Sequence, residues 1–191
     1  MAEKWTHAGL GTFTFDDPDW ITKVKLPSFK RFTYREFGRN CGRASLQLSF
    51  SPVEFDSKDL PSKPAITVAL RIIRNQDSLA EKVEKSIWQD INGRGRGTGM
   101  WWHGGLPDFD QTFSEPFGSD LKRILQSRES VRCVIGEPRV CVVESVSGFE
   151  RPCAKLSFSA AFDPEHGVGV LTDGNRILGI GYGYDVGPYE A

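Results

Sequence analysis

Three ionisable residues stand within four positions in the stretch AAFDPEHGVGVL at 160–171: Asp163, Glu165 and His166. An imidazole beside carboxylates is the raw material of general acid–base catalysis. A carboxylate on one ring nitrogen orients the other nitrogen toward a substrate proton. The same three side chains could also ligate a divalent metal, with His103 and Asp185 as more distant contributors. A structural reading competes with both. Pro164 fixes its own backbone angle and Asp163 can bond the backbone two residues on, so Asp163-Pro164 reads as a turn. The carboxylates then accept backbone N–H groups and His166 becomes a post that locks a hairpin, followed by a strand needing small residues at 167 and 169. With no Ser or Cys nucleophile in a recognisable elbow and no HExxH spacing, the structural reading is preferred.

The second chemically suggestive stretch is GRGRGTGMWWHGG, inside an irregular Gly/Trp-rich insert at about 93–118. It matches neither the dinucleotide-binding nor the P-loop glycine spacing, and it lacks the lysine of the latter, so phosphate cradling has little support. Arg94, Arg96, Trp101, Trp102 and His103 offer charge and stacking surface. That combination suits single-stranded nucleic acid. It suits a protein-binding loop better, because Trp and Arg are the usual anchors of interfaces. The plain alternative is that the tryptophans fold back and cap the core. Further on, GIGYGYDVGPYEA alternates glycine with Tyr182, Tyr184 and Tyr189, and glycine within a strand lets a backbone or a ring approach closely.

Elements that could position these residues follow from periodicity. GTFTFD and ASLQLSF alternate, WITKVKL and RFTYREF look similar, and DDPD at 16–19 is a turn, which together predict an antiparallel meander. The stretch PSKPAITVALRIIRNQ is ambiguous. Its β-branched content favours strand, whereas Ile66, Leu70 and Ile73 sit at helical spacing. A helix then follows, with Ser78 and Glu81 read as a capping box and Leu79, Val83, Ile87 and Ile91 as one apolar stripe. Asn92-Gly93 stops it, and Ser119 caps a shorter helix, DLKRILQSRE. The last third predicts strands at SVRCVIGE, RVCVVESV, AKLSFSAAF, GVGVLT and RILGIGYG, with TDGN as a hairpin turn between the final two. The sum is one α+β domain over 1–191, mainly antiparallel, with helices between N-terminal and C-terminal strand groups.

The totals exclude several classes. The 191 residues are 39% hydrophobic, with 13 Phe and 5 Trp, enough to close a core without metal or disulfide. A formal net charge of −1 gives no global field toward nucleic acid or membrane. Locally, Lys23, Lys25, Lys30, Arg31, Arg35, Arg39 and Arg43 face only Glu36, which reads as a solvated strand face with a contact surface as the alternative. Nothing reaches the ~18 apolar residues of a membrane span, and there is no signal-type apolar run at the start, so the chain reads as cytoplasmic. Cys41, Cys133, Cys141 and Cys153 lack metal spacing and read as small buried hydrophobes. In an oxidising compartment Cys133 and Cys141 could instead pair across a hairpin centred on GEP.

With these elements in place, four blocks resemble, in order, an uncharacterised bacterial family of unknown function. They are LGTFTFDDPDWITKVKLP, ALRIIRNQDSLAEKVEKSIW, DLKRIL and FDPEHGVGVLTDGNRILGIGYGYDV. The last carries the specific signature, an aromatic residue followed by D-x-E-H-G-L-G-V, with Phe162 and Val168 replacing the family's usual Trp and Leu. The resemblance implies an α+β fold and a role as a binding partner, with neutralisation of a toxin as its more specific form. The expectation is therefore a non-enzymatic binding domain whose partner is another protein, with no cofactor and no membrane, and with nucleic acid disfavoured. Binding is assigned to Arg94, Arg96, Trp101, Trp102 and His103. A hydrolase or metal-dependent enzyme using Asp163, Glu165 and His166 is the alternative.

Overall fold

The computed structural model describes residues 3–34, 45–52, 57–92, 94–96, 126–183 and 185–189. Among these residues eight strands form one sheet: β1 (Lys4–His7), β2 (Gly11–Asp16), β3 (Asp19–Val24), β4 (Leu46–Ser51), β5 (Arg139–Val143), β6 (Cys153–Ala160), β7 (Asp163–Thr172) and β8 (Ile177–Gly181). Their order across the sheet is their order along the chain. Every neighbouring pair is antiparallel except β4 and β5, which run parallel with Leu48 opposite Val140 and Phe50 opposite Val142. The sheet is thus two four-stranded meanders joined at a parallel seam. A parallel pair needs a crossover, and here the crossover carries helices α1 (Lys63–Arg74) and α2 (Gln76–Ile91). The protein is α+β, as its periodicity predicts.

The core lies between the helices and one face of the sheet. Strand alternation puts Trp20, Phe50, Val142 and Ala154 in one cross-strand row and Leu48, Val140, Leu156 and Val170 in another, all buried. Helix α1 packs on β5 and β6, and α2 packs beside it against β8 and the Pro27–Arg31 turn. Its Leu79, Val83, Ile87 and Ile91 are each at most 1% exposed, so the predicted stripe is the buried one. Each such side chain contributes about 1.5–3 kcal/mol relative to exposure.

The ambiguous stretch at 61–76 is helix. Ser62 is its N-cap, accepting a hydrogen bond from the Ala65 N–H at 3.2 Å, and a proline stands in the first turn, where no donor is lost. Its buried face is Ala65, Val68, Ala69 and Ile72, which settles the period as helical, while Ile66, Leu70 and Ile73 flank that face. Helix α2 begins earlier than the expected capping box. Asn75 closes α1 and opens α2, and the Ser78 hydroxyl, already inside the first turn, donates to the Asn75 carbonyl instead of capping.

Other departures have local causes. SVRCVIGE is a single helical turn, α3 (Val131–Val134), after which only Ile135 bridges to Ala160. Val131 and Val134 are both buried, a spacing of three that a helical turn satisfies and a strand does not. Cys133 therefore lies exposed on α3 rather than opposite Cys141 in β5, and both thiols are free. The first half of RFTYREF is no strand. A 3-10 turn over Pro27–Arg31 leads into Thr33 and Tyr34, which donate their N–H groups to the Arg132 and Ile135 carbonyls. Of the helix expected at 120–129, residues 120–125 lie outside those described and Arg128–Ser130 is a 3-10 turn. Strand β1, before the first predicted strand, was not anticipated by the periodicity.

Candidate functional site

The segment 160–169 shows which of its groups meet. The turn between β6 and β7 falls on Ala161 and Phe162, not on Asp163-Pro164, and Asp163 opens β7 opposite Ala160. Both turn residues are buried, so the pair that reverses the chain also plugs the core. Asp163 is only 4% exposed, and its Oδ1 accepts the His166 backbone N–H at 3.0 Å and lies 3.1 Å from His166 Nδ1. The ring of His166 is half-exposed and tilts against Tyr182, with centroids 4.9 Å apart. Glu165 points to solvent. Two of the three suspected groups are therefore brought together and the third is not. Among the described residues no cluster of three His, Cys, Asp or Glu side chains could hold a metal.

The glycines of this region serve backbone packing. Gly167 takes φ +65°, and a Cβ there would run into the Phe158 carbonyl oxygen. Gly179 would strike the Gly187 carbonyl oxygen, and Gly169 would strike Tyr182 and Val186. The strands are bare on that side because residues 185–189 lie across them, with the Tyr189 N–H donating to the Leu178 carbonyl at 2.7 Å. The glycine alternation thus marks close approach of a backbone, as read from the sequence. Of the predicted binding residues, Arg94 donates its N–H to the Gln89 carbonyl, and Arg96 places its guanidinium 4.9 Å from the Tyr189 ring centroid. Burial pushes the Tyr189 phenol up to about 12, with Asp90 adding to the rise and Arg96 opposing it. Trp101, Trp102, His103 and most of the Gly/Trp-rich insert lie outside the described residues, as does Tyr184.

A third place was not anticipated. At the carboxyl ends of the parallel pair β4 and β5, where α1 begins, a cavity of about 290 Å³ opens between Trp20, Phe50, Pro52, Leu60 and Pro61. Leu60, 54% exposed, is the one exposed large hydrophobic side chain among the described residues, and it stands on the rim. The Trp20 indole N–H donates to the Asp59 carbonyl at 3.2 Å, which fixes the rim to the floor. Glu144, from just beyond β5, accepts the Ser62 N–H at 2.9 Å and the Ser62 hydroxyl at 2.7 Å. Open α/β sheets bind ligands in this location, outside the carboxyl ends of parallel strands. Nothing local in the sequence points there, because the lining comes from four separate segments around 20, 50, 60 and 144. The one available signal was Leu60 set between Asp59 and Pro61, an apolar residue in a breaker context. No protein-family model matches the chain, nor does any curated protein or solved structure.

Proposed function

We propose that the chain is a binding domain that acts by holding another protein, and that the seam cavity is where it does so. The observation that carries this reading is Leu60. An exposed apolar side chain on the rim of an apolar hollow, in a molecule whose other described large hydrophobics are covered, offers a partner's apolar group an anchoring point. The test compares wild type with Leu60→Glu in retaining a partner from a lysate of the source cells. The variant should lose the partner and keep its melting temperature. Retention of the partner would sink the assignment to this surface. A cytoplasmic setting is supported by the free thiols of Cys133, Cys141 and Cys153. The family resemblance of the 162–170 segment supports a toxin as the partner, and co-expression of a candidate toxin with wild type or Leu60→Glu would decide it.

One observation favours the enzymatic alternative. His166 Nδ1 is held by a buried carboxylate, the relation that orients a general base. The same contact serves the β6–β7 turn, since Asp163 also takes the His166 N–H. His166→Ala should therefore lower the melting temperature modestly and leave partner retention intact. A fully stable His166→Ala protein that loses a hydrolytic activity present in wild type would reverse the order of the two readings.

A further inference from the structure

We infer that the occupant of the seam cavity is a basic segment of polypeptide, one that sets an apolar side chain into the hollow between flanking Lys or Arg residues. This rests on the binding reading above and names the chemistry of the partner at the same place. The first argument is what the cavity already contains. A helix N-terminus at the end of a parallel strand pair commonly takes an anion, because its free N–H groups and its dipole favour negative charge. Here that place is filled from within. Glu144 sits on the start of α1, bonded at 2.9 and 2.7 Å to the N–H and hydroxyl of Ser62. An incoming phosphate or carboxylate would meet a carboxylate rather than free donors.

The second argument is the charge around the rim. The β2–β3 turn brings exposed Asp16 and Asp17 to this end of the sheet, and Asp19 follows, accepting the Ser51 hydroxyl at 2.7 Å. Asp59 is exposed beside Leu60. Glu3, paired opposite this end of β2, holds Lys58 at 3.3 Å, and exposed Lys63 opens α1 next to Ser62. The far end of the same strands carries the opposite sign. Lys23 lies at the end of β3 opposite Gln47, and Arg139 begins β5 one position before Val140, the partner of Leu48. Lys25, Lys30 and Arg31 follow β3 at that end. Close to the cavity, Asp16, Asp17, Asp19, Asp59 and Glu144 outnumber Lys58 and Lys63, whereas the other end of β3 is basic. Such a field steers a cationic partner to the acidic end and repels an anionic one.

The third argument is size. At about 290 Å³ the hollow is at the small limit of sites that enclose a free ligand, ~300–1,000 Å³, and its floor of Trp20 and Phe50 is apolar. It fits an anchor side chain whose main chain runs outside, over the acids.

The test uses the intact chain and three fluorescein-labelled synthetic peptides, each with a central Leu flanked by Lys, by Ser or by Glu. Anisotropy gives affinity at low and at physiological salt, and the indole N–H resonance of Trp20, assigned with Trp20→Phe, reports the cavity. The Lys-flanked peptide should bind about tenfold tighter than the Ser-flanked one, shift the Trp20 resonance and weaken as salt rises. Asp59→Lys should reverse the preference between Lys and Glu flanks, and Leu60→Ala should weaken the Lys-flanked peptide. Equal binding of the Lys- and Ser-flanked peptides, or tighter binding of the Glu-flanked one, would overturn the charge assignment while leaving the docking surface in place. Failure of all three to bind would overturn the basic-segment inference, and the Leu60→Glu retention experiment decides the binding reading separately.

Discussion

The two meanders share one antiparallel plan and differ in what covers their outer face. In the first, β1–β4, the outward residues Thr6, Thr12, Lys23 and Gln47 are exposed, and the Thr6 and Thr12 hydroxyls bond only each other at 3.0 Å. In the second, β5–β8, the outward side is closed. Cys153 and Leu171 are buried with Val186 of residues 185–189, and Val143, Val146, Phe149 and Leu178 pack around them. A sheet covered on both faces has little room for outward side chains where a backbone lies across it, hence the glycines at 169, 179 and 181. The most suggestive residue pair of the sequence lies in the closed half, where Asp163 accepts the His166 N–H. Asp163 and His166 belong to the half where polar groups are needed to fix a crowded backbone. The cavity instead lies at the seam between the two meanders, at the carboxyl ends of β4 and β5.

The strongest way to break this picture is to cut the link between the halves. Glu84 on α2 is fully buried and receives Arg128 Nε at 2.8 Å and Arg132 Nε at 2.6 Å, with Arg31 at 4.0 Å. Arg31 lies between β3 and β4 of the first meander, and Arg128 and Arg132 precede the second. Hydrogen bonding to Glu84 also raises the already high pKa of Arg132. Removing Glu84 deletes two charged hydrogen bonds worth about 1.5–3 kcal/mol each, so Glu84→Ala should cost about 3–5 kcal/mol in urea unfolding. A loss below ~1 kcal/mol would show that the halves are not held together here.

The next largest effect should separate the halves directly. Gly179→Ala sets a methyl group against the Gly187 carbonyl oxygen and should cost about 1–3 kcal/mol by forcing residues 185–189 away. The freed Tyr189 should then titrate near its ordinary value of about 10 instead of about 12. An unchanged Tyr189 titration would mean that the tail is not seated on Gly179.

How much of this was legible depends on how local each signal is. The α2 stripe and the 173–176 turn were readable because a single segment carries the whole pattern, and Gly174 has the positive φ that the Asp-Gly signal implies. The glycine alternation was readable as close approach, because alternate glycines share a face. What it approaches was not readable, since Val186 and Gly187 carry no mark of their destination. Val131 and Val134 misled because a four-residue helical turn is too short to show a period. The Asp163–His166 pair was legible as a pair, yet its turn was misplaced by two residues. Burial of Phe162 decided the position of that turn over the preference of Asp-Pro. The cavity was illegible because its walls meet only through tertiary packing.

The pH dependence sharpens the comparison further. Tyr189 has its folded pKa raised, mainly by burial, above an unfolded value near 10. A raised folded value means that its contribution is fully present below pH ~10 and is lost as pH rises through about 12. Wild type should therefore lose stability over this window by more than Tyr189→Phe does. Asp173, in the β7–β8 turn, works at the acid end. Burial pushes its carboxyl up, but the N–H groups of Arg176 and Asn175 and the Arg176 guanidinium outweigh that and hold it below the usual range. Its stabilisation is present above pH ~4 and falls away as the solution is acidified through the lowered value, an effect that Asp173→Asn should remove. Parallel pH titrations of the melting temperature in these two variants check both signs.

The smallest expected effect is the most discriminating control. Thr12→Val on the outer face of β2 deletes the 3.0 Å contact with the Thr6 hydroxyl, made between exposed groups that water can satisfy equally well. Valine keeps the branched side chain that a strand favours, and its added apolar surface has no neighbour to displace. The stability should stay within about 0.5 kcal/mol of wild type. Leu171→Ala, on the same face of the sheet but in the second meander, should cost about 2–5 kcal/mol, because Leu171 is fully buried there. The contrast between the meanders depends on this asymmetry. If Thr12→Val cost more than ~1.5 kcal/mol, the outer face of the first meander would be packed like that of the second. The exposed threonines would then be contacts rather than solvent-facing groups.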